Sequence, residues 1–152
     1  MRAWVIVAIL VLVDQLTKWA VQASFQPAQS LPLIPPVLHL TYVQNTGAAF
    51  GILRGHPGAF VMISLLVGAW MLAELRRLRQ AGWRARLPLA LILGGAIGNL
   101  IDRLRLGYVV DFLDLRVWPV FNVADSCITI GVTWLLFQVL FQRKPDSSKF
   151  EV

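Results

Sequence analysis

The chain has 152 residues, of which 57% are hydrophobic and 14% charged, with a mean hydropathy of +0.67. Soluble domains carry about 25% charged residues, so this composition excludes a disordered chain and argues strongly against a soluble globular one. Fourteen Lys and Arg against eight Asp and Glu give a net charge of +6, a basic excess that on so apolar a chain points to the loops of a membrane protein and away from nucleic acid.

The first predicted element is an apolar run over about residues 4–23. A helix needs about 20 residues to cross the hydrocarbon at 1.5 Å per residue, and runs of similar length follow at about 59–75, 87–104 and 120–141. The fold class expected is all-α integral membrane, with four transmembrane helices. Val21-Gln22-Ala23 has the small-residue look of a signal cleavage site, but Asp14 and Lys18 lie where a signal peptide is only weakly polar, so the first run is taken as a span. Those two residues stand four apart, acid first, and can pair along one helix face near its outer end, either anchoring the helix or serving a ligand.

The outer segment 24–57 carries Pro27, Pro32, Pro35, Pro36 and Pro57, which excludes a long helix. Within it Val37 to Val43 alternates as a short amphipathic strand that ends at Asn45-Thr46-Gly47. The second outer segment, 105–119, contains a β-branched and aromatic stretch from Tyr108 to Trp118 that can pair with it. A small extracytoplasmic β-sheet lying on the membrane surface is expected.

In the third run Ala90, Gly94 and Gly98 recur every four residues, a small-residue stripe for close helix packing. Gly94 to Gly98 follows no strand and does not have dinucleotide-binding spacing. Next come Asn99, Asp102 and Arg103, of which Asn99 needs a hydrogen-bond partner at hydrocarbon depth and Arg103 pairs with another element or reaches the outer interface. The fourth run opens with Asn122 and Asp125, three apart, with Asp125 about four residues inside the span and roughly 6 Å deep. Basic residues divide nine to five in favour of the side bearing Arg2, the connection between the second and third runs, and Arg143, Lys144 and Lys149. Both termini are therefore expected in the cytoplasm, with residues 1–142 as one membrane domain and 143–152 as a cytoplasmic tail.

That orientation gives the outer half five of the eight acids: Asp14, Asp102, Asp111, Asp114 and Asp125. Charges near hydrocarbon cost about 2.5–3.5 kcal/mol each, so they face a partner, a cavity or a reaction. Asp125 can meet Asp111 or Asp114 of the outer connection, and two converging carboxylates that share a proton supply an acid and a base together. Other schemes fit poorly. No Gly-x-Ser-x-Gly or His-Glu-x-x-His occurs, no histidine lies near Ser126 or Cys127, and one cysteine with His39 and His56 makes no metal cluster. Intramembrane acids also mark ion pathways, which leaves a small proton- or ion-coupled transporter as the competing class and a structural membrane protein as a third.

Five segments, Asp14-Gln15-Leu16-Thr17-Lys18, Asn45-Thr46-Gly47-Ala48-Ala49-Phe50-Gly51, Gly98-Asn99-Leu100-Ile101-Asp102-Arg103, Val109-Val110-Asp111-Phe112 and Phe121-Asn122-Val123-Ala124-Asp125-Ser126, resemble in order the motifs of the bacterial lipoprotein signal peptidases (signal peptidase II). The resemblance implies an intramembrane aspartyl endopeptidase of the bacterial cytoplasmic (inner) membrane, with its active site near the outer face. It would act on diacylglyceryl-modified prolipoproteins, cleaving just before the lipidated cysteine. By the matching motifs Asp111 and Asp125 would be catalytic, while Asp14, Lys18, Asn45, Gly47, Asn99, Asp102, Arg103 and Asn122 would bind substrate or shape the site. Partners would be those substrates and membrane lipids, with no nucleic acid, no metal and no organic cofactor.

Overall fold

A computed structural model describes residues 2–47, 57–80 and 82–141. Residues 48–51 of the second motif and the tail 143–152 lie outside the described residues. The elements in chain order are α1 (Arg2–Ser24), β1 (Ser30–Ile34), β2 (Leu38–Asn45), α2 (Pro57–Arg77), α3 (Trp83–Leu106), β3 (Val109–Asp114) and α4 (Val123–Phe141). Helices occupy all four predicted runs. Among the described residues α1, α3 and α4 are long and apolar enough to cross a membrane.

α3 is the central helix, packing against α1, α2 and α4. The stripe does what its spacing predicts: a Cβ on Gly94 would lie 3.1 Å from Leu10 Cβ, and one on Gly98 would lie 2.5 Å from Asp14 Oδ2, so α1 lies directly on it. A second pair of glycines seats α4, since a Cβ on Gly95 would strike the Ala124 carbonyl and one on Gly131 would come within 2.8 Å of Pro88 O. Small residues are what let helix backbones approach this closely in an apolar medium. Pro88 lies inside α3 and has no N–H for the Arg84 carbonyl four residues back. Gln138 of α4 replaces it, its Nε2 donating to Arg84 O at 2.7 Å. α3 ends at Gly107, whose left-handed φ of 79° suits glycine and whose N–H donates to Arg103 O at 3.1 Å.

The sheet lies at the end of the bundle where α1 and α3 finish and α4 begins, in the order β1-β2-β3 with both pairings antiparallel. The predicted strand is β2, which starts one residue later and runs to Asn45. The Tyr108–Trp118 stretch contributes β3 and pairs with it as expected. β1 was not foreseen: it is exposed along its whole length and carries Pro32, both tolerated because it is an edge strand. A cluster of Val21, Tyr42, Val110 and Phe112 joins the sheet to α1, while Val7, Met71, Leu75, Leu89 and Leu93 fill the opposite end of the bundle.

One boundary is corrected with consequence. α4 begins at Val123 and not at residue 120, because Pro119 precedes it and Asn122 caps it. Asp125 is thus in the first turn of α4, two residues past its start.

Candidate active site

β3 and the first turn of α4 deliver Asp111 and Asp125 to one cleft of about 680 Å³, which is also lined by Asn45, Gly47, Asn99 and Arg103. Each carrier element is fixed by hydrogen bonds beyond its own helix or strand ladder. The edge of β3 away from β2 is closed: Val110 N–H donates to Asp102 Oδ2 at 3.1 Å, Val110 O accepts from Asn122 Nδ2 at 3.3 Å, and Phe112 N–H donates to Phe121 O at 3.0 Å. On α4, Asn122 Oδ1 accepts the Asp125 N–H at 2.9 Å while Asp125 Oδ2 accepts the Asn122 N–H at 3.3 Å, a reciprocal capping box. Asp14 of α1 adds an acceptor for the Ala124 N–H at 2.9 Å, so two carboxylates occupy the positive end of the helix dipole.

Amide side chains then address the two carboxylates. Asp111 accepts from Asn45 Nδ2 at 2.8 Å and from Asn122 Nδ2 at 2.7 Å, and Asp125 accepts from Asn99 Nδ2 at 2.7 Å. The Asn45 side chain is itself held by the Gly47 N–H, which donates to its Oδ1 at 2.9 Å. Asn99 Oδ1 accepts from Lys18 Nζ at 2.8 Å and from Asn122 Nδ2 at 3.1 Å, which determines which end of its amide faces Asp125.

Lys18 lies behind this network, almost wholly buried, with its ammonium 2.9 Å from Asp14 and 2.9 Å from Asp102. One cation therefore ties together Asp14, which holds the start of α4, Asp102, which holds β3, and Asn99, which touches Asp125. The predicted pairing of Asp14 with Lys18 is present and is one part of this larger cluster. Gln15 was missed as a site residue: its Nε2 donates to Asp102 Oδ1 at 2.9 Å and to Gly98 O at 3.2 Å. Its signal was a polar side chain three residues before Lys18 inside an apolar span.

The predicted residues thus divide by position. Asn45, Gly47, Asn99, Arg103, Asp111 and Asp125 line the cleft; Asp14, Lys18, Asp102 and Asn122 are buried behind it. Arg103 acts electrostatically on Asp125 and Asp111 across the cleft as well as on its neighbour Asp102. Asp114, the alternative partner for Asp125, points elsewhere. It accepts from Thr41 Oγ1 at 2.7 Å and pairs with Arg116 at 3.2 Å, and its carboxyl lies below the ordinary range because those donors outweigh its desolvation. Burial pushes Asp111 up to about 7, with the Asp125 charge adding to the effect and the Asn45 and Asn122 amides opposing it. Two carboxyls converging on one cleft, one of them raised by burial, suit acid and base work at a single bond. The same cleft continues over apolar surface from Ile63 and Val67 of α2 and Ile128 and Ile130 of α4.

Residues 6–141 match the sequence profile of the family described as signal peptidase (SPase) II. The chain is 54% identical over 138 residues to the lipoprotein signal peptidase of Moorella thermoacetica, covering 90% of this chain and 92% of that one. It is 47% identical over 141 residues to the lipoprotein signal peptidase of Halothermothrix orenii, covering 93% and 97%. Its fold is similar to that of a bacterial membrane enzyme solved by the in meso method at 2.3 Å resolution, with a TM-score of 0.82 and 31% identity over 96% of this chain and 94% of the other.

Proposed function

The chain belongs to the signal peptidase II family, and from that premise we propose that it is an aspartyl endopeptidase whose catalytic pair is Asp111 and Asp125. It is a membrane-embedded protease that removes signal peptides from prolipoproteins. Nothing in that kinship supports a transporter, and the reading of these acids as an ion pathway is set aside.

The observation that carries the catalytic assignment is the convergence of Asp111 and Asp125 on one cleft, each oriented by an asparagine amide. With one proton between them, the ionised carboxylate takes a proton from water as its oxygen attacks the scissile carbonyl. The protonated carboxyl polarises that carbonyl, and when the tetrahedral intermediate collapses the departing amine is protonated and the pair returns to its starting charge. Gly47 and Arg103, at the cleft wall, would bind the peptide, while Asp14, Lys18, Asp102 and Asn122 shape the site from behind.

In the same reading α2, 21 residues long, is the fourth span, residues 1–142 form one membrane domain and 143–152 a tail. Both termini face the cytoplasm of a bacterial inner membrane, and the sheet and cleft face outward. Substrates carry a diacylglyceryl group on the cysteine that follows the scissile bond, and their acyl chains occupy the apolar part of the cleft among membrane lipids; nucleic acid has no role. Incubating the purified protein with a lipidated precursor peptide tests the proposal. Two fragments cut before the lipidated cysteine are expected, and an intact precursor would overturn it.

A further inference from the structure

A second groove of about 680 Å³ adjoins the catalytic cleft and runs along α4 toward the opposite end of the bundle. Its floor is one face of α4, with Ile130, Thr133, Trp134, Phe137 and Phe141 at helical spacing, and Arg84 in the first turn of α3 lines its far end. Thr129 and Ile130 line both this groove and the catalytic cleft, so the two are continuous along α4. From Thr129 to Phe141 the helix rises about 18 Å, the length of an extended acyl chain. The groove is built as well as open: the Gln138 amide on its floor is engaged by the Arg84 carbonyl that Pro88 leaves without an N–H, which locks the start of α3 against α4.

The charge at the Arg84 end decides what fits. Arg84 is exposed, and among the described residues no carboxylate lies within ion-pair distance of it. Among the described residues no acidic side chain lines the groove. A signal peptide bound here would bring its cationic leading region to a guanidinium of the same sign. A glycerophospholipid with an anionic headgroup brings the opposite sign and offers an apolar tail to the rest of the groove.

We propose that this groove is a binding site for an anionic phospholipid, with the headgroup phosphate on Arg84 and one acyl chain along Trp134 and Phe137, its end reaching the rim of the catalytic cleft at Ile130. Arginine presents a planar fork of donors matched to phosphate oxygens, and aromatic side chains give the tail a shaped wall where bulk lipid has none.

Native mass spectrometry of the intact protein, released from detergent micelles loaded with equal phosphatidylglycerol and phosphatidylcholine, tests this. One phosphatidylglycerol is expected to be retained in preference to phosphatidylcholine by about fivefold, the equivalent of about 1 kcal/mol for one arginine at an anionic lipid surface. Arg84→Gln removes the preference and Arg84→Lys keeps most of it, while Arg77→Gln, at an exposed pair on α2, leaves it unchanged. Each variant is checked for cleavage of a precursor peptide, which reports the catalytic reading separately. Equal retention of the two lipids, an unchanged preference in Arg84→Gln, or displacement of the phospholipid by inorganic phosphate would overturn the proposal. So would a photo-crosslinker at Phe137 that captures signal peptide in place of lipid during turnover.

Discussion

The side-chain amide of Asn122 donates to Asp111 Oδ1 at 2.7 Å, and the backbone N–H of the same residue donates to Asp125 Oδ2 at 3.3 Å. One residue, with no exposed surface, thus holds both carboxylates while its Oδ1 caps α4. The separation of the two acids is set by the helix cap, so the geometry of the proposed catalytic pair and the start of α4 are one structural feature. Lys18 ties three further residues to it, Asp14 on α1 and Asn99 and Asp102 on α3.

Asp111→Asn and Asp125→Asn should each lower the cleavage rate by at least about 10²-fold, the scale of a lost general acid or base, in a protein that still inserts and melts cooperatively. An amide at position 111 meets donors from both Asn45 and Asn122, so a modest fall in melting temperature is expected for that variant. Asp114→Asn should keep most of its activity, since Asp114 binds Thr41 and Arg116 away from the cleft. Rates on a lipidated precursor, measured beside thermal melts, decide; an active Asp111→Asn would remove the catalytic assignment.

The rate should fall as pH rises through about 7, where Asp111 gives up the proton that burial and Asp125 help it retain. Asn45 donates to the ionised form and so pulls this value down. Replacing it in Asn45→Ala removes that stabilisation, raises the Asp111 pKa and moves the alkaline limb to higher pH. The linkage has the matching sign. A carboxyl held at about 7 in the fold binds more protons folded than unfolded, so the Asp111 contribution to stability declines between about pH 4 and pH 7. A pH–rate profile of the two proteins checks the shift, and a limb that moves to lower pH would contradict it.

Lys18→Met should destabilise the fold by about 3–5 kcal/mol, because it strands two carboxylates that stay buried. Asp14 and Asp102 then repel each other at the points that anchor α4 and β3, so any folded fraction should show a lowered kcat with little change in KM. Melting in a single detergent and steady-state kinetics separate the two effects. A stable Lys18→Met enzyme with normal kcat would show that the cluster does not position the site.

Local spacing made part of this architecture legible and long-range contact hid the rest. Asp14 and Lys18 could be paired from their four-residue separation, and the Ala90, Gly94, Gly98 stripe announced close packing, because both are properties of one helix. That Lys18 also meets Asp102 and Asn99 depends on the register of α1 against α3, which no local pattern encodes. β1 escaped because a fully exposed edge strand with a proline has no alternation to detect. Asn122 and Asp125 were visible as a three-residue pair, yet the apolar residues from Val120 onward masked the Asn-x-x-Asp capping box that starts α4. The compensation of Pro88 by Gln138 is likewise a contact between helices and not a sequence signal.

The proposed four-span topology makes a labelling prediction. Cys127 is buried, so it should be silent to an impermeant thiol reagent, and single reporters can be added at exposed sites. A cysteine at Gln26, just past α1, should react from outside intact cells, and one at Gly82, before α3, only after the membrane is opened. Reaction of both from the same side would mean that α2 does not cross.

Cleavage should depend on the lipid carried by the substrate cysteine more than on the residues around it. The cleft that holds Asp111 and Asp125 runs without interruption onto Ile63 and Val67 of α2 and Ile128 and Ile130 of α4. A peptide backbone can use the polar end of that cleft, but nothing in a polar peptide occupies the apolar end. Acyl chains can, and each methylene moved from water contributes about 0.8 kcal/mol. The chains also confine the scissile bond to a thin layer next to the carboxylates, so orientational entropy is lost before the chemical step begins. Burial of two methylenes is worth about 1.6 kcal/mol, so a matched precursor peptide without the diacylglyceryl group should be cut more than about tenfold more slowly at equal accessible concentration. Substituting Val67→Asp, which places a charge on the apolar wall, should slow the lipidated substrate and leave the weak cleavage of the unlipidated one nearly unchanged. Initial rates of the four combinations in one detergent give the comparison. If lipidated and unlipidated peptides were cut equally fast, the apolar end of the cleft would have no part in recognition, and the acyl chains would have to be placed elsewhere.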